Sequence, residues 1–349
     1  MKKSIFRAAA IVISAALLSG AACAVPTISA NSAIVMDGDT QRVLWSHQAG
    51  SRSLIASTTK IMTALVVLEE CALGAEVKIP LEAVGVEGSS IYLKPGEIMT
   101  VEALLYGLML QSGNDAATAL ALYCGGSIEN FVQKMNDKAV ALGLEQTSFA
   151  NPHGLDSEDN YSTAYDLAKL TSHAMREDTF RTIVSAKTAS FGERTFVNHN
   201  KLLWRCEGAI GVKTGYTMAA GRILVSCAER NGRRLIVVTI SDPNDWRDHC
   251  ALMDYGFEEY RNVTLASAGA GSIVHVIGGV EDMCNAVLKE DVVYPVSDDE
   301  CVEIVYSLPQ FVYPPLMAGD KAGELIVYID GVKAAVCPLY WQFTVLEGA

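Results

Sequence analysis

The sequence has few charged residues, and basic residues are the scarcer kind. Of its 349 residues 19% are charged, and 27 Lys and Arg face 40 Asp and Glu, which gives a formal net charge of −13. Nucleic-acid-binding proteins present basic surfaces, and this chain has too little positive charge to form one. Half of the residues are hydrophobic and only 10 are proline, which excludes a disordered or collagen-like chain. The composition indicates a globular protein long enough for two domains.

Metal-binding patterns are also missing. The six His residues are scattered without H-x-x-x-H or H-E-x-x-H spacing, and the nine Cys residues include no C-x-x-C. We therefore predict no metal site and no cofactor.

The sequence also lacks a long hydrophobic run, except for a short one near its start. Three basic residues precede the apolar residues 8–18, and the small residues Ala22-Cys23-Ala24 follow. This run is too short to span a bilayer, and the arrangement is typical of a signal peptide. We predict that residues 1–24 are cleaved off, which changes the net charge from −13 to −16. The predicted location is extracytoplasmic, at the cell-wall or periplasmic face.

Two points about the exported chain stay open. A lipid anchor on Cys23 is an alternative, although Gly20 stands where a lipobox would have leucine. The eight remaining cysteines could form disulfides in an oxidising compartment. Several of them, such as Cys227, lie inside apolar runs, so buried free thiols are the slightly favoured prediction.

The order of the predicted elements fits an α/β sandwich in which one sheet carries helices on its faces. Thr100 is a predicted helix N-cap, and Asn231-Gly232 predicts a hairpin turn. Predicted strands cover 32–35, 42–45, 222–229 and 233–241, and predicted helices cover 60–70, 101–111, 115–124, 128–142 and 248–255.

The amino-acid composition of the chain changes near residue 261. Residues 262–349 contain 12 acidic and 3 basic side chains, and they have short β-rich runs at 272–277, 301–307 and 325–328. We predict a first domain over 25–262 and a small all-β domain over 263–349. The chain ends without an amphipathic basic helix, so no C-terminal membrane anchor is predicted.

Three short motifs carry the chemistry: Ser57-Thr58-Thr59-Lys60, Ser112-Gly113-Asn114 and Lys213-Thr214-Gly215. Each alone also fits a structural role, as a helix cap, a turn between helices or a solvated strand lysine. Together they favour a catalytic site.

Lys60 is out of place as a structural residue. It lies one helical turn after Ser57, in the first turn of an apolar helix, where the helix dipole disfavours a cation. The dipole, burial and a second cation such as Lys213 all lower the pKa of an amine. A neutral Lys60 beside Ser57 would act as general base for a serine nucleophile.

The other two motifs supply what such a site still needs. The Ser112 hydroxyl can relay protons, and the Asn114 amide can hold a peptide-like substrate. Lys213 and Thr214 can bind a carboxylate, and Gly215 leaves room for a substrate backbone.

The order S-x-x-K, S-x-N, K-T-G is the active-site set of penicillin-binding proteins and class A β-lactamases. Nearly all of the chain after residue 24 resembles the low-molecular-mass D-alanyl-D-alanine carboxypeptidases. The resemblance rests on the segments ASTTKIMTAL (56–65), NPHGLD (151–156), NHNKLL (198–203), GVKTGYTMAAG (211–221) and DYGF (254–257).

The resemblance implies an α/β sandwich of the serine β-lactamase and penicillin-binding type, which has an antiparallel sheet with helices on its faces and a helical subdomain. A β-sandwich domain is expected to follow it. It implies that Ser57 is acylated, that Lys60 is its base, that Ser112 relays the proton and that Lys213 binds the substrate carboxylate. The implied substrates are peptidoglycan stem peptides ending in D-Ala-D-Ala, with β-lactam antibiotics as covalent inhibitors. His153 is expected to shape a loop beside the cleft and is left out of the catalytic set.

Three alternatives stay open. A D,D-endopeptidase of cross-linked peptidoglycan would use the same residues. A β-lactamase is disfavoured by the extra domain and by the lack of an E-x-x-L-N segment. A non-catalytic wall-binding module would be expected only if a motif were broken, and all three motifs are intact.

Overall fold

The computed structural model describes residues 6–13 and 24–348. The chain forms two compact units, one over Ala24–Glu258 and one over Glu259–Ala349 together with the N-terminal segment. The predicted domain limits at 262 and 263 stay predictions.

The N-terminal segment forms strand β1 (Phe6–Ile13), which pairs with a strand of the second unit in the full-length chain. This strand covers part of the apolar run that we assign to a signal peptide. Ala22 and Cys23 of the predicted cleavage site lie outside the described residues, so the signal peptide stays a prediction.

The first unit combines short strands with eight helices among its described residues. Its strands are β2 (Ser32–Asp37), β3 (Val43–His47), β4 (Ser53–Leu54), β5 (Glu76–Lys78), β6 (Ile98–Thr100), β7 (Tyr161–Ser162), β8 (Thr188–Phe191), β9 (Arg194–Val197), β10 (Ala209–Thr217), β11 (Gly221–Arg230) and β12 (Arg233–Ile240). Its helices are α1 (Lys60–Glu70), α2 (Val101–Leu110), α3 (Asn114–Gly125), α4 (Ile128–Ala141), α5 (Ala164–Ala174), α6 (Asp178–Ser185), α7 (Leu202–Arg205) and α8 (Asp245–Glu259), the last of which ends at the boundary between the units.

A five-stranded antiparallel sheet organises this unit, with strand order β10-β11-β12-β2-β3. The β11–β12 hairpin turns at Asn231 and Gly232, which both have positive φ, as a tight two-residue hairpin turn requires. Strand β10, which carries the K-T-G motif, is therefore an edge strand with one side not covered by a neighbouring strand.

The helices follow from apolar spacing and from caps. The Thr100 side chain accepts a hydrogen bond from Ala103 N at 3.2 Å, which caps α2 as predicted. Helix α1 is buried along its length from Lys60 to Val67. A helix that is buried on all sides must be apolar, and its single buried lysine therefore needs an explanation.

The second unit is β-rich. Its strands are β13 (Arg261–Ala266), β14 (Gly271–Val276), β15 (Met283–Val287), β16 (Val292–Val296), β17 (Val302–Pro309), β18 (Phe311–Val312), β19 (Lys321–Ile329) and β20 (Val332–Trp341). Strand β17 alternates buried and half-buried residues along its whole length, which places one face on a core that includes Leu325 and Trp341. The predicted α/β sandwich followed by an all-β domain is confirmed.

The prediction for the cysteines is wrong in one place. Cys71 and Cys124 form a disulfide, with their Cα atoms 6.6 Å apart. Cys71 caps the C-terminal end of α1, and Cys124 lies in the last turn of α3, so helix packing brings two distant positions together. Spacing in the sequence could not show this. Cys227 and Cys284 are buried free thiols, as predicted.

None of the helices among the described residues is long and apolar enough to cross a membrane.

Candidate active site

Ser57 lies in a tight turn that leads into α1. A short 3₁₀ turn covers Ala56–Thr59, and α1 begins at Lys60. Ala56 has a φ of 45°, in the left-handed region that non-glycine residues rarely adopt. Such strain persists only where the surroundings hold it, and it is common at functional sites.

Lys60 joins three parts of the site. Its Nζ donates to Ser57 Oγ at 3.0 Å, to Asn114 Oδ1 at 2.7 Å and to the backbone oxygen of His153 at 2.5 Å. These acceptors belong to the S-x-x-K motif, the S-x-N motif and the NPHGLD segment. An ammonium would donate to all three partners. A neutral amine has two N–H donors and one lone pair, so in that form Lys60 can donate to Asn114 and His153 and accept from the Ser57 hydroxyl.

The environment of Lys60 favours its neutral form. The residue is 0% exposed, and burial lowers its pKa well below the ordinary lysine value. The positive charge of Lys213 lowers this pKa further, whereas Asp115 raises it. Ser57 therefore lies beside a buried amine whose surroundings favour the loss of its proton.

The S-x-N motif forms the connection between α2 and α3. Ser112 has a φ of 61°, and Asn114 is the first residue of α3. Asn114 Nδ2 donates to the backbone oxygen of Glu87 at 2.5 Å, which fixes the amide so that its oxygen accepts from Lys60. In this structure Asn114 thus also orients the lysine.

The K-T-G motif lies on the edge strand β10. Lys213 Nζ donates to Ser112 Oγ at 3.0 Å and to the Thr214 backbone oxygen at 2.9 Å. Burial lowers the pKa of Lys213 to about 7. Ser57 with Lys60, and Ser112 with Lys213, therefore form two hydroxyl–amine pairs.

Two glycines let separate segments approach the Ser57 turn. A Cβ on Gly215 would lie 3.3 Å from both Ala56 Cβ and Ser57 N, so the glycine brings β10 close to the serine. A Cβ on Gly154, where φ is +89°, would lie only 1.9 Å from Ala56 O. The glycine of the NPHGLD segment is thus required by the close contact of two backbones.

His153 supplies its backbone oxygen to Lys60, and burial together with the Lys60 charge lowers the pKa of its imidazole to about 4. Its ring Nδ1 accepts from Leu155 N at 3.2 Å, within its own loop. This agrees with a loop-shaping role.

These groups open onto a cavity of about 380 Å³. Four of the predicted site residues line it, namely Ser57, Ser112, Thr214 and Gly215. Lys60, Asn114 and Lys213 are buried behind this surface. Lys60 reaches it through the hydroxyl of Ser57, and Lys213 reaches it through the hydroxyl of Ser112.

Sequence reasoning missed the rest of the wall, which consists of Ser89, His199, Lys201, Tyr216, Arg222, Asp245 and Trp246. Arg222 pairs opposite Tyr216 on the neighbouring strand and makes a bidentate ion pair with Asp245, in which Nε donates to Oδ2 at 3.1 Å and Nη2 donates to Oδ1 at 2.9 Å. Its guanidinium also lies 5.7 Å from the ring of Trp246. His199, Lys201 and Tyr216 lie in the segments NHNKLL and GVKTGYTMAAG, which carry the resemblance without giving these residues a role. Ser89, Arg222, Asp245 and Trp246 lie in no such segment, and only the fold brings them to the cavity.

The described residues include no group of three or more His, Cys, Asp or Glu side chains placed to hold a metal ion. The polar side chains that line the cavity carry hydroxyls, one amine, the imidazole of His199 and the Arg222–Asp245 pair.

A serine in the turn before a helix, next to a buried lysine and close to the edge of a helix-covered sheet, is an arrangement typical of serine hydrolases that use lysine in place of histidine. The family model described as D-alanyl-D-alanine carboxypeptidase matches residues 19–244. The chain belongs to this peptidase family.

Known proteins are similar over most of the chain. The D-alanyl-D-alanine carboxypeptidase DacF of Bacillus subtilis is 33% identical over 333 residues, covering 89% of this chain and 84% of the relative. DacA of Escherichia coli is 37% identical, with 93% and 85% covered. The crystal structure of penicillin binding protein 5 from Haemophilus influenzae superimposes with a TM-score of 0.82 at 29% identity and covers 92% of this chain and 99% of that one.

Proposed function

We propose that this protein removes the terminal D-Ala from peptidoglycan stem peptides ending in D-Ala-D-Ala, through an acyl-enzyme on Ser57. The observation that carries the proposal is the 3.0 Å contact between Lys60 Nζ and Ser57 Oγ at the wall of a cavity. The protein acts outside the cytoplasm, after removal of residues 1–24.

Acylation begins when neutral Lys60 takes the proton of the Ser57 hydroxyl. Ser57 Oγ attacks the carbonyl carbon of the penultimate D-Ala and forms a tetrahedral intermediate. When this intermediate collapses, the peptide C–N bond breaks, and the proton that Lys60 took from Ser57 passes through Ser112 to the departing amine of the terminal D-Ala, so that Lys60 is neutral again. The 3.0 Å hydrogen bond from Lys213 Nζ to Ser112 Oγ supports this relay, because it leaves the proton of the Ser112 hydroxyl free to pass to the amine.

Deacylation reverses these roles. A water molecule enters the space that the D-Ala has left and gives its proton to Lys60 as it attacks the ester carbonyl. The ester C–O bond then breaks, and Ser57 regains its proton. Both halves of the reaction therefore depend on a lysine that is neutral at the start of each attack.

Substrate binding uses both sides of the cleft. Thr214 lines the cavity, and the Lys213 amine donates to its backbone oxygen. We assign the terminal carboxylate to Lys213 and Thr214, with Gly215 leaving room for the peptide and Asn114 holding its backbone. Arg222, whose side chain is 43% exposed, lines the same cavity, where the carboxylate of Asp245 balances its charge.

Cleavage of D-Ala-containing cross-links by the same residues is the second candidate. Tyr216, which is exposed, and Trp246 both line the cavity, and a longer peptide could extend past the reacting bond and lie against their rings. A β-lactamase is disfavoured, because the one acid that lines the cavity among the described residues, Asp245, is paired with Arg222.

The proposal is tested by incubating the purified protein, without residues 1–24, with two substrates. One is a stem peptide ending in D-Ala-D-Ala, and the other is a dimer of stem peptides joined by a cross-link. We expect release of D-Ala from the first at a higher kcat/KM than cleavage of the second. Preferential cleavage of the dimer would replace the carboxypeptidase with the endopeptidase, and no release from either would reject both.

A further inference from the structure

One wall of the cavity, which carries Ser89, belongs to a segment without regular secondary structure. Residues 84–97 connect a short 3₁₀ turn, Leu81–Ala83, to strand β6 and contain no helix and no strand. Ser89 is exposed, and Tyr92 is 80% exposed. The position of such a segment depends on the groups that hold it from inside the protein.

A buried carboxylate holds this segment. Asp115, the second residue of α3, is 1% exposed. Its carboxylate accepts hydrogen bonds from Ser90 Oγ at 2.6 Å, from Ile91 N at 3.0 and 3.1 Å and from Leu93 N at 3.1 Å. It also accepts from Ala116 N at 2.9 Å, within its own helix. Three groups of the segment are thus bound to one side chain.

Two glycines let the segment and the S-x-N motif approach each other closely. A Cβ on Gly113 would lie 2.9 Å from Asp115 Oδ1. A Cβ on Gly88, where φ is +91°, would lie 2.7 Å from Asn114 Nδ2. The backbone N–H of Asn114 also donates to Ser89 O at 2.7 Å. The segment therefore packs directly on the loop that carries the motif.

We propose that Asp115 is a positioning residue of the reaction, whose carboxylate holds residues 87–93 against the S-x-N motif and so fixes the Ser89 wall and the Asn114 amide. The inference rests on the proposed acyl-enzyme on Ser57, because it concerns how that site is held in place.

The effect on the chemistry passes through Asn114. Its Nδ2 donates to Glu87 O at 2.5 Å, and its Oδ1 accepts from Lys60 Nζ at 2.7 Å. A shift of the segment would move the backbone oxygen of Glu87, and the amide would lose the partner that turns its oxygen towards the lysine. Small displacements of this kind are costly for a reaction that depends on aligned groups.

Asp115 also acts on Lys60 through its charge. The charged and titratable groups that face this amine include Lys213 of β10, His153 of the NPHGLD segment and Asp115 of α3. The Lys213 charge lowers the pKa of Lys60, and the Asp115 charge raises it. Loss of the Asp115 charge would therefore lower this pKa further, and the fall of kcat/KM on the acid side of the pH profile would occur at lower pH.

Asp115→Asn tests both effects. Oδ1 accepts from the backbone N–H groups of Ile91 and Ala116, and Oδ2 accepts from that of Leu93. An amide has one oxygen and one NH₂ group, so in either orientation its NH₂ would face another donor. We expect kcat/KM for D-Ala release and the rate of penicillin labelling at Ser57 to fall about 10- to 100-fold. The acid side of the pH profile should move to lower pH.

Asp166→Asn is the matched control. Asp166 is 3% exposed, lies in the first turn of α5 and accepts from Gln146 N and Thr147 Oγ1, both at 2.8 Å. Its replacement should lower Tm, because a buried hydrogen-bonded carboxylate is lost, but should leave kcat/KM and the pH profile unchanged. Ser90→Ala removes one donor to Asp115 and keeps the charge, so it should lower kcat/KM several-fold without moving the pH profile.

The outcomes are distinguishable. Asp115→Asn with the kcat/KM and pH profile of the Asp166→Asn control would overturn the proposal. If Asp115→Asn does not fold, Ser90→Ala decides, and a wild-type kcat/KM for that variant would overturn the proposal. If the wild type is labelled at Ser57 but releases no D-Ala, the proposed substrate is rejected, and the labelling rates of the variants still test Asp115. A wild type that is not labelled at Ser57 would reject both.

Discussion

Lys60 Nζ lies 3.0 Å from Ser57 Oγ, and the lysine is fully buried. Burial of a lone amine is costly unless it loses its proton, and the positive charge of Lys213 disfavours that proton further. Burial of Lys60 is thus unfavourable for folding, and the same burial favours the neutral amine that can act as a base. This relationship gives the first prediction.

Replacing Lys60 with arginine should remove activity. A guanidinium stays protonated at any usable pH, so Lys60→Arg keeps the charge but loses the base. We expect kcat/KM for D-Ala release to fall by about 100-fold or more, as for other general bases. In the wild type, kcat/KM should fall as the pH is lowered, because protonation removes the reactive form of Lys60, whose pKa lies below its ordinary value.

The control for this variant is Lys78→Arg, which changes an exposed lysine on β5 and should behave like the wild type. Near-normal turnover by Lys60→Arg would show that Lys60 serves as a fixed cation and that another group takes the proton.

Lys213→Ala should affect substrates with a free terminal carboxylate most. An ion pair that is shielded from solvent is screened little by salt, and loss of a hydrogen bond to a charged group costs about 1.5–3 kcal/mol. We expect kcat/KM to fall about 10- to 100-fold more for the acid than for its C-terminal amide. Lys201→Ala, which removes an exposed lysine from the same cavity, is the matched control. An equal fall in kcat/KM for the acid and for the amide would show that Lys213 does not bind the terminal carboxylate.

Gly154→Ala should damage the site through the backbone. The added Cβ would lie 1.9 Å from Ala56 O, so the loop must move away from the Ser57 turn. This movement would break the hydrogen bond from Lys60 Nζ to the backbone oxygen of His153. Gly192→Ala is the control, since it has positive φ but nothing within 4 Å. We expect the control to lose about 1 kcal/mol of unfolding free energy and to keep its activity. Gly154→Ala should lose more stability and most of its acylation rate, as followed by labelling with fluorescent penicillin. Equal effects of the two substitutions would argue against this contact.

Penicillin should leave a long-lived acyl-enzyme. The opened ring stays tethered to the ester and obstructs the approach of water, whereas a departing D-Ala vacates that space. Asp156 is engaged by the Thr217 hydroxyl at 2.9 Å, and Asp245 is engaged by Arg222, so neither acid is free to activate a deacylating water. We expect a 1:1 penicilloyl adduct that persists for minutes or longer in intact-mass spectra. Rapid multiple turnover of penicillin without an accumulating adduct would favour the β-lactamase alternative.

Much of this arrangement could be predicted from local patterns. The start of α1 at Lys60, the Thr100 cap and the Asn231-Gly232 turn each depend on a few adjacent residues, and the structure has all three. The three motifs could be read in the same way, because each occupies one turn or one strand.

The remainder depends on contacts between distant segments. The Cys71–Cys124 disulfide links the ends of two helices, and the Arg222–Asp245 pair joins a strand to the start of α8. The role of Gly154 is also non-local, since it packs against the backbone of Ala56, which lies far away in sequence. Such relationships become visible only when the chain is folded.

The central claim is that Ser57 forms the acyl-enzyme, and Ser57→Ala tests it most directly. Release of D-Ala from a peptide ending in D-Ala-D-Ala is measured together with the site of penicillin attachment, with Ser89→Ala as the control from the same cavity. The account predicts that Ser57→Ala lowers turnover on the order of 10⁴-fold and takes up no penicillin, whereas Ser89→Ala is labelled on residue 57. Normal labelling of Ser57→Ala, or an adduct mapped to another residue in the wild type, would contradict it.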